Sequence, residues 1–244
     1  MKIPQLVERK FLFDEHQSVS APLYEITVAR NGVFKRARRG EMFAAVQVES
    51  FAAPIVGLAN ERARVELTVK IPATVFAEIL AHARTTTDES NFTENLYAVY
   101  AHENSGYIWQ EISRQRAVGS TIADDKSVAY QNAVLEIHTH PPGCYDFSRQ
   151  DDRDEAGKFR LFGILVDIHS QHPAIRLRVG VYDSFREIAA KTVTEALPEN
   201  TIDLVKQDET TLSFFREHAS GIQEHNRLIF TRSCLELSDL GNFF

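Results

Sequence analysis

The sequence predicts a mixed α/β (α+β) domain with a central mixed β-sheet flanked by helices. A β-rich segment over residues 1–70 precedes the core at 71–190, and a helical extension over 191–244 follows it. Three observations carry this reading. The first 70 residues hold β-type runs separated by turn residues. An amphipathic helix at 72–84 feeds into further strands. The run 159–168 is nearly all apolar, as expected of a central strand covered on both faces.

In chain order, residues 23–29 are β-rich and residues 32–35 follow directly. Asn31-Gly32 between them is a two-residue hairpin signal, because both residue types tolerate positive φ. Residues 43–48 and 65–70 are further strand candidates, with Pro54 and Gly57 marking a bend. Pro72 opens a helix where its missing N–H costs nothing. Val75, Phe76, Ile79, Leu80 and Ala83 then fall on one helical face, and the polar run 85–90 ends it. Residues 96–101 and 107–112 read as paired strands around Asn104-Ser105-Gly106. Residues 113–131 are polar and weakly patterned, and are expected to form a long loop, with or without a short strand, of the kind that is usually functional or mobile. Residues 133–138 form a strand, 149–156 a short polar helix closed by Gly157, and 175–182 an alternating strand. Helical patterning is expected at 185–193, 202–205 and 212–222.

Of the 244 residues, 43% are hydrophobic and 25% charged, the balance of an ordinary globular chain. A net charge of −7 argues against a broad nucleic-acid-binding face, although Lys35, Arg36, Arg38 and Arg39 form a local basic run. Two cysteines, Cys144 and Cys234, exclude a disulfide framework and an all-cysteine zinc site, and fit a reducing cytoplasm. No run approaches the roughly 18 apolar residues of a membrane span, and the N-terminus does not read as a signal peptide.

The chemistry concentrates in His138-Thr139-His140-Pro141, followed by Ser148 and Asp151. Histidines at i and i+2 of an extended segment point the same way, so both imidazoles can grip one ion. Asp151 is close enough in sequence to return a carboxylate as a third ligand. Two nitrogens, one oxygen and a vacant fourth position describe a catalytic rather than a structural zinc site. Ser148-x-x-Asp151 also fits an ordinary helix N-cap with an acid in the first turn. Metallo-β-lactamase-like sites need Asp-His after the histidine pair, and cupins a glutamate. Zinc deaminases need paired cysteines. This chain has none of these.

The spacing His-x-His-Pro-x6-Ser-x-x-Asp resembles the JAMM (MPN+) metalloprotease family. That likeness implies the family's cytidine-deaminase-like fold over roughly residues 71–183. Glu94, after the 72–84 helix and before the 96–101 strand, matches the family's glutamate. More narrowly, Phe147-Ser148 with Asp151-Asp152-Arg153-Asp154-Glu155-Ala156-Gly157 is similar to the JAMM-like A proteins of PRTRC plasmid systems. The resemblance implies one Zn²⁺ on His138, His140 and Asp151, Glu94 as general base then acid, and Ser148 as oxyanion donor. It further implies cleavage of a peptide or isopeptide bond at the C-terminus of a ubiquitin-like or other small modifier protein. A ThiF-type (E1-like) activating enzyme would be a partner; nucleic acid and membrane would not. The alternatives are a non-catalytic MPN binding module and an enzyme trimming small adducts from a sulfur-carrier protein. Glu136, two residues before His138, departs from the family pattern: it is either an acid behind a ligand or a rival for the base.

Overall fold

A computed structural model describes residues 5–88, 92–102, 106–117 and 120–206. The chain is mixed α+β, mostly sheet with few helices. Contacts divide it into two units, one of Met1–Lys70 with Glu155–Arg160 and Val179–Arg186, the other of the remaining residues.

The first unit is built on a five-stranded sheet of β1 (Val7–Phe11), β2 (Tyr24–Ala29), β3 (Gly32–Arg39), β4 (Met42–Ser50) and β5 (Arg64–Leu67), in that spatial order. β1 is parallel to β2, and the other pairs are antiparallel. The β2–β3 hairpin is present one residue earlier than expected. Ala29 pairs with Gly32, which leaves Arg30 and Asn31 as the turn. Asn31 uses its side chain to bridge Glu61, donating to its carbonyl at 2.9 Å and accepting from its N–H at 3.0 Å. Gly32 is needed for space, since a Cβ there would lie 2.2 Å from the Glu49 carbonyl oxygen. Leu12, Ala29 and Phe34 form an apolar cluster in this unit. Glu25, Arg36 and Glu61 are buried charges within it. The Arg36 Nε lies 3.1 Å from Glu61 Oε2.

In the second unit, α1 (Ala73–Thr86) buries Val75, Phe76, Ile79, Leu80 and Ala83, the face expected from the spacing. Pro72 is its N-cap rather than its first residue, and the helix runs two residues past Arg84. Thr85 and Thr86 form its last turn, their hydroxyls donating back to the His82 carbonyl at 2.8 and 2.9 Å. Next come β6 (Leu96–His102), β7 (Gly106–Glu111), β8 (Ser113–Ala117), β9 (Ser120–Ala123), α2 (Val128–Asn132), β10 (Leu135–Thr139) and α3 (Arg149–Glu155). The last strands of the chain, parts of which belong to the first unit, are β11 (Lys158–Val166), β12 (Ala174–Tyr182), β13 (Ser184–Ile188) and β14 (Ile202–Asp203). The sheet order is β13-β12-β11-β10-β6-β7, with β14 beside β12. β10 sits inside it, parallel to β11 and antiparallel to β6.

Three expectations are corrected. Residues 113–131 are not a plain loop but the β8–β9 hairpin followed by α2. The hairpin is tied at its base by Asp124 N–H to the Ile112 carbonyl, 2.9 Å, and by Leu96 N–H to Ser113 Oγ, 2.7 Å. Such tertiary bonds override a sequence with no clear period. Residues 185–193 are not a helix. Tyr182 adopts φ 61°, the chain reverses, and Ser184–Ile188 lies beside β12. An Arg176–Glu187 ion pair at 2.7 Å joins the two strands. A 3-10 turn at Ala190–Thr192 follows, with Asp203 Oδ2 accepting from Ala190 N–H at 2.8 Å. Residues 202–205 give a two-residue strand and the start of a second 3-10 turn, Leu204–Lys206, rather than a helix. The helix expected at 212–222, and with it most of the C-terminal extension, lies outside the described residues, as do turn residues 104 and 105. No described helix is long and apolar enough to cross a membrane.

Candidate metal centre

β10 reads Leu-Glu-Ile-His-Thr and is buried along its whole length. Alternation puts Glu136 and His138 on one face and Leu135, Ile137 and Thr139 on the other. The antiparallel register with β6 pairs His138 with Leu96. Two bonds carry that pairing one residue further. Thr139 N–H donates to the Asn95 carbonyl at 3.0 Å, and Asn95 N–H donates to Thr139 Oγ1 at 2.9 Å. Glu94 is the next residue along, and its carboxyl interacts electrostatically with His138, His140 and Asp151. A residue remote in sequence is thereby brought to the histidines by the β6–β10 pairing and the Asn95–Thr139 bonds that extend it.

α3 supplies the third group. Ser148 caps it: Ser148 Oγ accepts from Asp151 N–H at 3.1 Å, and Asp151 Oδ2 accepts from Ser148 N–H at 2.6 Å. The helix-cap reading and the metal reading of Ser-x-x-Asp are therefore compatible, because the reciprocal cap fixes the rotamer of Asp151. Arg178 pins the same helix, with its Nη1 donating to Asp152 Oδ1 at 2.6 Å while its guanidinium stacks over Phe147 at 3.8 Å.

His138, His140 and Asp151 form a group that could hold a metal ion. His138 Nε2 and His140 Nε2 are 2.9 Å apart, and Asp151 Oδ1 and Oδ2 lie 3.2 and 3.4 Å from them respectively. Ligand atoms placed about 2.0–2.1 Å from a tetrahedral zinc stand about 3.3 Å apart, so the donor set has the span a single small ion needs. His140 Nδ1 lies 3.0 Å from the Cys144 carbonyl oxygen. That acceptor holds the ring proton on Nδ1 and leaves the Nε2 lone pair directed at the shared point.

In the metal-free protein the two carboxyls of the site shift in opposite directions. Burial alone would raise the Asp151 carboxyl, but the charges of His138 and His140 and their hydrogen bonds outweigh it, holding it well below the usual carboxylate range. Glu94 is 5% exposed. Burial pushes its carboxyl up to about 7; the Asp151 charge adds to the rise, and the two histidines oppose it. One carboxylate is thus kept ionised and its neighbour is poised to take or give a proton near neutrality.

Four of the expected site residues, His138, His140, Asp151 and Glu94, meet at this point, and Ser148 stands at its rim as an exposed cap. Glu136 is buried on the same strand face, opposite Ala98 of β6 and Phe162 of β11, but is not a member of the metal-capable group. Residues that sequence reasoning passed over are Asn95 and Thr139, which lock Glu94 to the histidine strand, and the Cys144 carbonyl, which orients His140. Backbone acceptors leave no trace in side-chain identity, so the last carries no sequence signal. No protein-family profile matches the chain, and no curated protein matches it.

Proposed function

We propose that the chain is a JAMM-type zinc hydrolase that cleaves a peptide or isopeptide bond at the C-terminus of a ubiquitin-like or other small modifier protein. The observation that carries this reading is the convergence of two imidazoles and an ionised aspartate with a buried, near-neutral glutamate. A structural metal site has no need of that fourth group. Zinc is the ion we favour, because a two-nitrogen, one-carboxylate set suits it; when bound it would acidify water and polarise a carbonyl.

The chain's own residues supply the rest. Glu94 accepts a proton from the attacking water and returns it to the leaving amine, a cycle served by a carboxyl that burial makes readier to hold a proton. Ser148 Oγ accepts the Asp151 N–H, so its own hydroxyl proton stays available to the carbonyl oxygen as negative charge develops. His140 is held by the Cys144 carbonyl and Asp151 by its cap, so neither ligand reorganises during turnover.

The test is cleavage of a ubiquitin-like protein joined through its C-terminal glycine to a lysine side chain. Zinc-loaded protein should release the lysine partner. Chelation should stop the reaction, and Glu94→Gln should lose turnover while retaining zinc. Full cleavage by zinc-loaded Glu94→Gln would refute the role of the base. Cleavage of small-molecule adducts with no action on protein conjugates would replace the substrate class with small-adduct trimming. Zinc binding without hydrolysis of either would leave a non-catalytic binding module.

A further inference from the structure

Building on the metal-centre reading, we propose that Asp167 is a positioning residue for the ligand His140, acting through the loop at 141–145. Asp167 follows the end of β11 and holds φ 52°. The left-handed region is uncommon for a residue with a side chain, and is retained where surrounding contacts demand it. The contacts here come from both carboxylate oxygens. Oδ1 accepts from Gly143 N–H at 3.0 Å, and Oδ2 accepts from the Tyr145 hydroxyl at 2.5 Å. One carboxylate therefore straddles Cys144, gripping the residue on each side of it.

The residue between the two grips is the one whose carbonyl takes His140 Nδ1, at 3.0 Å. The His140 backbone is tied to the same strand from the other end, its N–H donating to the Leu165 carbonyl at 2.8 Å. Ligand backbone and ligand ring thus share one reference frame, the end of β11. Gly143 adopts φ 80°, which turns the chain back toward Asp167. Tyr145 is 6% exposed and packs with Ile164, Val166, Ala174 and Leu204, so its hydroxyl is presented from a fixed wall. Asparagine could not replace Asp167 fully, because it offers one acceptor oxygen where two donors must be met.

Partners that orient a ligand imidazole typically contribute 10–100-fold in metal affinity. The test uses Co²⁺ as the probe, with chelator competition for affinity, the visible ligand-field spectrum for geometry, and thermal unfolding of the metal-free proteins alongside. Asp167→Ala and Tyr145→Phe should bind cobalt about 10–100-fold more weakly than wild type, with an altered spectrum. Asp167→Asn should fall between Asp167→Ala and wild type. Tyr145→Phe keeps the ring and its packing, so it answers the question if Asp167→Ala does not fold. Wild-type cobalt affinity in both Asp167→Ala and Tyr145→Phe would overturn the proposal. Failure of the wild-type protein itself to bind cobalt is a different result, and overturns the metal-centre reading on which the proposal rests.

Discussion

Replacing Glu94 with glutamine should stabilise the metal-free protein, and by an amount that depends on pH. The carboxyl is raised from an ordinary 4.5 to about 7, chiefly by burial. Its folded-state affinity for a proton therefore exceeds its unfolded-state affinity. The stability this contributes is fully present below 4.5 and is lost as pH rises through 7. Above that range the native state carries an ionised buried carboxylate, at a cost of about 3 kcal/mol relative to the unfolded chain. Glutamine has the same shape and does not ionise. The difference in unfolding free energy between wild type and Glu94→Gln should shift by about 2.5 kcal/mol from about pH 5 to about pH 8, in favour of the variant. Urea unfolding of chelator-treated proteins across that range measures it, with titrating groups remote from the site cancelling between the two chains. A difference that stays flat with pH would show that Glu94 ionises at its ordinary value, and would remove the basis for a base poised near neutrality.

Ser148→Ala should slow hydrolysis by about 10²–10³-fold without abolishing it, and should also cost about 1 kcal/mol as a lost helix cap; steady-state kinetics and a melt separate the two effects. Arg36→Met should destabilise the protein by about 1–3 kcal/mol, because it removes the buried partner of Glu61, which keeps Arg64, and a charge near Glu25, which keeps Lys10; chemical unfolding of the full chain checks this, and an unchanged midpoint would contradict it. Gly163→Ala should destabilise by about 1–3 kcal/mol through overpacking. A Cβ there would lie 2.7 Å from Leu177 Cδ2 and 3.2 Å from Ile137 Cγ1, both side chains fully buried, and Ile137 precedes the first ligand on β10. A thermal melt together with the cobalt spectrum reads both the stability loss and any disturbance of the site.

Local chemistry was legible wherever one element decided it. The buried face of α1, the alternation of β2, the histidine strand and the capped α3 each follow from spacing or a capping residue. The convergence of Asp151 with two histidines was legible because a single turn joins them. Glu94 was harder: its nearness depends on strand register, which the family resemblance supplied and local pattern could not. The failures share one cause. Residues 185–188 carry a helix-like pattern yet form a strand, because a left-handed Tyr182 turns them back beside β12. The 113–123 hairpin is fixed by bonds to Ile112 and Leu96 rather than by its own periodicity. Asp167 is invisible for the same reason, since its two partners lie 24 and 22 residues earlier in the chain.

The most direct measurement is the metal content of the purified chain beside its His138→Ala, His140→Ala and Asp151→Ala variants, with X-ray absorption at the zinc edge. Wild type should carry one zinc per chain, with two imidazole nitrogens and only oxygens besides, and each variant should lose it together with activity. A wild-type chain that takes up no zinc, or variants that keep it in full, would contradict the account.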